Sequence, residues 1–163
     1  EKIKEDDKFI YFEITPYKKL LDTKSTFDEI QNSMDINLLM EFLQNNPSHP
    51  YALFAVSNST DLNKTNNSNI CLEKLLYLYE ESFCYEFQIF KENYGKRLIL
   101  VNENELNRIF FLTLFNFIEI LIKKSCFKSA LSYTKLLLKI SPTNDPYGAI
   151  LLMDKIAFFQ DHI

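Results

Sequence analysis

Lys135–Ala157, KLLLKISPTNDPYGAILLMDKIA, holds two apolar patterns of helical spacing parted by Ser141-Pro142-Thr143-Asn144-Asp145-Pro146. Proline lacks an N–H and clashes with the turn before it, so Pro142 ends the first helix. Asp145 can accept from the free N–H groups at the start of the next helix. Pro146 fits that helix's first turn, where no N–H is missed. The break reads as a tight turn that lays the last helix beside its predecessor.

Working outward, Phe127, Ala130 and Pro142 have the spacing of the second helix of a tetratricopeptide repeat: an aromatic, an alanine three on, and a proline twelve later. The small alanine lets two antiparallel helices approach closely, and the aromatic plugs the seam at their turn. Ile118 departs from the pattern, since a small residue would normally face Ala130, and no second clear copy lies upstream. The expected fold class is all-α, a tetratricopeptide-like α-solenoid of antiparallel helix pairs.

The rest of the chain carries helical punctuation. Thr15-Pro16 reads as an N-cap and first helical residue, starting a helix through about Asp22. Thr26 and Glu29 have capping-box spacing before a second helix lined by Phe27, Ile30 and Met34. Asp35 can cap INLLMEFLQ (36–44), and Pro50 opens PYALFAVSN (50–58). A long helix is expected from Ile70 to about Tyr94, with Leu72, Leu75, Leu76, Tyr79, Phe83, Phe87 and Phe90 as its core face. Glu73, Lys74, Glu80, Glu81 and Glu86 form its solvated face. Asn102 and Glu105 repeat the capping-box spacing before IFFLTLFNFIEILI (109–122). That run is shorter than a bilayer span, which needs about 18–20 apolar residues, so it reads as a central packed helix with Thr113, Asn116, Glu119 and Lys123 as a narrow polar stripe. Residues 1–14 read as a charged arm followed by an extended segment, FIYFE. Residues 15–163 read as one helical-repeat domain, interrupted by an inserted polar loop over 58–69. The chain opens on Glu1 rather than Met and reads as a fragment of a longer protein.

Composition excludes several functions. The chain has 163 residues, 47% hydrophobic and 25% charged, within the ordinary globular range. A formal charge of −4 argues against a phosphate-backbone binder, so direct nucleic-acid binding is not expected. Only two glycines are present, Gly95 and Gly148, too few for a phosphate cradle or a nucleophile turn. Cys71, Cys84 and Cys126 are odd in number and scattered through apolar helical patterns, which reads as buried free thiols in a reducing compartment. His49 reads as a loop residue, and neither it nor His162 sits in a nucleophile motif or at metal-ligand spacing. No enzyme activity, cofactor or metal is expected.

The last block, ALSYTKLLLKISPTNDPYGAILLMDKIAF (130–158), resembles a signature of the transcription-factor-25-like family, whose fungal members are called ribosome quality control complex subunit 1. Tyr133, Lys135, Leu136, Pro142, Asp145 and Pro146 carry it. FIYFE, FLQNNPSHPY (42–51), LEKLLYLYEESFCYEF (72–87), Arg97-Leu98 and Asn107-Arg108 follow in the family's order. The resemblance implies a non-enzymatic scaffold of ribosome-associated quality control. Its partners would be the large ribosomal subunit and a Listerin-type E3 ubiquitin ligase, in the ubiquitin-dependent degradation of stalled nascent chains. It implies a cytoplasmic site, with the nucleus open as a second one, and no membrane. It also marks Arg97, Asn107 and Arg108 as candidate partner-binding residues. A transcriptional-repressor role and a generic helical-repeat peptide-binding module stay open as alternatives.

Overall fold

A computed structural model of the chain describes residues 1–59, 66–85, 87, 97–101, 104–142 and 145–161. The chain forms two compact units, Thr15–Ser82 and Glu1–Ile14 with Phe83–Ile163.

The first unit holds α1 (Lys18–Ser33), α2 (Ile36–Asn45), α3 (Pro50–Asn58) and α4 (Asn66–Ser82). α1 is continuous, where two helices were expected. The Thr23 hydroxyl donates to the Lys19 carbonyl one turn back, and Leu20 and Phe27 are buried seven residues apart on one face. A residue type that favours caps is thus absorbed inside a helix by tertiary burial. Met34, in the left-handed region at φ 54°, ends α1, and the Asp35 carboxylate caps α2 by accepting from Asn37 N–H at 2.8 Å. His49 is not a loop residue: it is buried and is the N-cap of α3, with Pro50 at the first helical position.

The polar loop expected over 58–69 is shorter. Asn58 closes α3, α4 already begins at Asn66, and residues 60–65 lie outside the described residues. The Ser68 hydroxyl is buried and donates to the Ser57 carbonyl at 2.7 Å, tying α4 to α3. α4 stops at Ser82, not near Tyr94. Leu72, Leu75 and Tyr79 form its buried face as expected, while Glu86 and Phe90 lie outside the described residues.

The second unit contains a small sheet, in which the extended segment expected at FIYFE supplies β2, while its two partner strands were not expected. β1 (Lys2–Glu5) runs antiparallel to β2 (Phe9–Phe12), and β2 runs parallel to β3 (Arg97–Leu100). Among the described residues the protein therefore has seven α-helices and three strands: mostly helical, but not all-α. Asp6 builds the β1–β2 turn. Its carboxylate accepts from the N–H groups of Lys8 and Phe9 and from the Tyr11 hydroxyl. Those backbone bonds hold it below the usual carboxylate range, and the Tyr11 phenol is raised by the same contact. Ile10 and Phe12 are buried, and Phe12 meets Phe87 edge to face at 5.1 Å.

α5 (Glu105–Lys123), α6 (Phe127–Ile140) and α7 (Ala149–Asp161) complete this unit, with α6 packed between the other two. The cap of α5 is Asn104, whose Oδ1 accepts from Leu106 N–H at 2.9 Å; Asn102 lies outside the described residues. Thr113 belongs to the core of α5 rather than to its polar stripe, because its hydroxyl is satisfied by the Ile109 carbonyl.

The turn into α7 is more contorted than a proline break. Asp145, Tyr147 and Gly148 all have positive φ, and Pro146–Gly148 is a 3-10 turn, so α7 begins at Ala149. A Cβ on Gly148 would meet nothing within 4 Å, yet its φ of +67° disfavours any other residue. Gly148→Ala should cost about 1 kcal/mol through the backbone alone. In a thermal melt that is a fall of about 2–4 °C.

Candidate interaction surface

Ala130 is fully buried on α6, one turn from Thr134, whose hydroxyl donates to the Ala130 carbonyl at 2.8 Å. Ile118 of α5, Leu137 and Ile140 of α6, and Ile156 of α7 are likewise fully enclosed, so α6 contributes buried residues along its whole length. Tyr133 meets Phe117 of α5 edge to face at 5.1 Å. Phe127 is the first residue of α6, directly after the turn from α5, and is half-buried. Its ring stacks on Phe159 of the following helix at 5.9 Å, so it fastens α6 to α7.

Pro142 is half-buried in the turn and Lys135 is exposed on α6. Asp145 does cap the last helix, but from further back. Its Oδ1 accepts from Ile150 N–H at 3.1 Å across the 3-10 turn that Pro146 opens. The displaced start brings the Tyr147 ring 5.5 Å from Phe115 of α5, so the turn is anchored to the first helix of the stack.

The three residues marked as partner-binding part company. Arg97 is exposed at the start of β3, where its N–H donates to the Lys8 carbonyl at 3.0 Å. Arg108 is exposed on α5, and its charge acts on the Tyr147 phenol against the larger effect of burial, which raises that group. Asn107 is a correction: it is fully buried and cannot meet a partner. Its Oδ1 accepts from Ile14 N–H at 2.8 Å and its Nδ2 donates to the Val101 carbonyl at 2.6 Å. One amide thus closes the exits of β2 and β3 onto the first turn of α5. Asn104, which the sequence reading passed over, joins it by donating to the Ile14 carbonyl at 3.2 Å. A polar residue beside the cap of an apolar helix was the available signal.

α7 exposes Ile150, Leu151 and Phe158, opposite the buried Ala149, Leu152 and Ile156. A groove of about 490 Å³ lies on the outer side of the sheet, lined by Ile3, Lys4, Tyr11, Glu13, Val101 and Asn104. The cysteines are free, but Cys84 and Cys126 are exposed rather than buried as expected. Cys71 is half-buried, and burial pushes its thiol up. Among the described residues no group of three or more His, Cys, Asp or Glu could hold a metal ion, and no helix is long and apolar enough to cross a membrane.

A family model described as Transcriptional repressor TCF25 matches residues 12–162, nearly the whole chain. The chain belongs to the TCF25 family. It is 31% identical over 126 residues to a Mus musculus protein named Ribosome quality control complex subunit TCF25, and 30% identical over 126 residues to the Homo sapiens protein of the same name. Each match takes in 77% of this chain and 18% of the relative, so the chain spans less than a fifth of the length of these curated relatives. No solved structure matches it.

Proposed function

We propose that this segment is a non-enzymatic scaffold part of a ribosome quality control subunit, presenting the α5–α6–α7 stack and its exposed side chains to other macromolecules. The observation that carries the reading is membership of the TCF25 family together with the names of its mouse and human relatives. The stack suits a scaffold because surfaces built from successive helices depend on how the helices pack, not on one reactive group. The side chains that chemistry might have used have structural partners: His49 caps a helix, and Asp6 and Tyr11 bind each other. In this reading the partners are the large ribosomal subunit and an E3 ubiquitin ligase, and the protein works in the cytoplasm.

Sedimentation of the full-length protein from cells with stalled translation tests this. It should co-migrate with large-subunit fractions and lose that position when the subunits are removed, and affinity capture should recover the ligase. A protein confined to the top of the gradient under both conditions would overturn the scaffold reading. The description of the family model favours a second one, transcriptional repression. That reading requires nuclear recovery and silencing of a reporter when the protein is tethered upstream of it.

A further inference from the structure

His49 is enclosed by three rings from three helices: Phe27 of α1 at 5.2 Å, Phe42 of α2 at 5.0 Å edge to face, and Tyr51 of α3 at 5.7 Å. Only 2% of its surface reaches solvent. Its Nδ1 accepts from Ala52 N–H at 3.2 Å and so caps α3. An accepting Nδ1 fixes the neutral tautomer with the proton on Nε2, and that buried N–H has no hydrogen-bond partner among the described residues. The single nitrogen that can take a second proton is therefore the one that holds the helix cap.

We propose that His49 is a protonation latch on the Thr15–Ser82 unit, in which protonating Nδ1 abolishes the α3 cap and opens the α1–α2–α3 packing. Two effects act together: an imidazolium Nδ1–H would point a donor at the Ala52 N–H donor, and it would place a cation where water cannot reach it. The groups around it leave the proton poorly compensated. α1 brings Asp28, whose negative charge favours the imidazolium, and Lys24, whose Nζ lies 5.0 Å over the Tyr51 ring. Before α1, the Tyr17 hydroxyl donates to the neighbouring Ser48 carbonyl at 3.4 Å. α3 brings the neutral phenol of Tyr51, and α2 brings the apolar ring of Phe42. Desolvation outweighs Asp28 and pushes the imidazole from 6.5 down to about 4.

The sign follows from that depression. The unfolded or opened unit takes up the proton first, so the latch is fully closed above about pH 6.5 and progressively lost as pH falls toward 4. From pH 7.5 to pH 5 the opening equilibrium should shift by about 30-fold. Hydrogen exchange of the whole chain across that range, corrected for intrinsic rates, would read it. Protection of the α3 amides from Ala52 onward should fall by that factor, while α5 and α6 amides keep theirs. His49→Asn keeps a capping oxygen without a titrating group, so its α3 protection, whatever its absolute level, should lose the steep pH dependence. His49→Gln provides a second non-titrating variant should Asn prove too small for the cage. Nitrogen chemical shifts of the wild-type imidazole should show the Nε2–H tautomer at neutral pH. An unchanged pH slope in both variants, or a wild-type His49 titrating near 6.5 with α3 still protected, would overturn the latch.

Discussion

Asn107→Leu should destabilise the protein by about 2–3 kcal/mol, although leucine branches at the same atom and has the same number of side-chain heavy atoms as asparagine. The change strands the half-buried Ile14 N–H and Val101 carbonyl, both satisfied by the Asn107 amide; an unmet group costs about 1–3 kcal/mol when fully buried, and these two fall toward the lower end of that range. The effect should be concentrated where β2 and β3 hand the chain to α5, because those are the two exits the amide closes. Urea unfolding followed by far-ultraviolet dichroism gives the magnitude. Amide exchange of Ile14 gives the place. Arg108→Ala, one residue on but exposed, should move the midpoint hardly at all, since surface substitutions usually fall within about 0.5 kcal/mol. Equal losses in the two variants would mean that Asn107 is not a clamp. A large loss of partner capture in Arg108→Ala without loss of stability would assign that arginine to the interface.

The same residue shows what the sequence could convey. Helices with local signals were legible: Asp35 before α2, Pro50 opening α3, and the apolar run that becomes α5 each carry their cause within a few residues. The pairing of the sheet was not legible, although its β2 segment read as extended, because β2 and β3 are four residues each and pair across more than half of the chain, Ile10 with Leu98 and Phe12 with Leu100. β1 is exposed along its length and charged at three of its four residues, so no apolar alternation announced it; its order comes from backbone pairing and from the Asp6 turn. Capping signals misled where burial overruled them, as at Thr26 inside α1. At the repeat, spacing identified Ala130 as a buried contact of α6. It could not foresee that Asp145, Tyr147 and Gly148 would turn left-handed and delay α7 to Ala149, since φ is decided by the packing of Tyr147 on Phe115 as much as by residue type. Family membership was legible in the same block, where the order and spacing of Tyr133, Lys135, Pro142, Asp145 and Pro146 resemble the family's signature even though their structural roles are not evident from the pattern.

Ala130→Leu should cost about 1–3 kcal/mol by overpacking and should weaken function by more than that loss alone implies. Ala130 has no exposed surface, sits on the helix packed between α5 and α7, and lies beside Thr134 and in the same buried row as Leu137. Three added carbon atoms at a fully enclosed position press on the neighbouring helices, so α6 is expected to tilt or retreat from one of them. The rings that register the stack would report the movement: Phe127 on Phe159 toward α7, and Tyr133 on Phe117 toward α5. Because α5 also carries Arg108 and α7 the exposed Leu151 and Phe158, a tilt of α6 changes the spacing between surface residues that the substitution never touches. In the full-length protein, Ala130→Leu is therefore expected to reduce co-sedimentation with the large ribosomal subunit or capture of the ligase. Lys128→Ala, exposed on the same helix, should do far less. The measurement is the bound fraction at a temperature where dichroism shows both variants folded, so that unfolding cannot stand in for misalignment. Full binding by a folded Ala130→Leu protein would mean that the partners do not read the α5–α6–α7 geometry, and the contact would have to be sought in the rest of the protein.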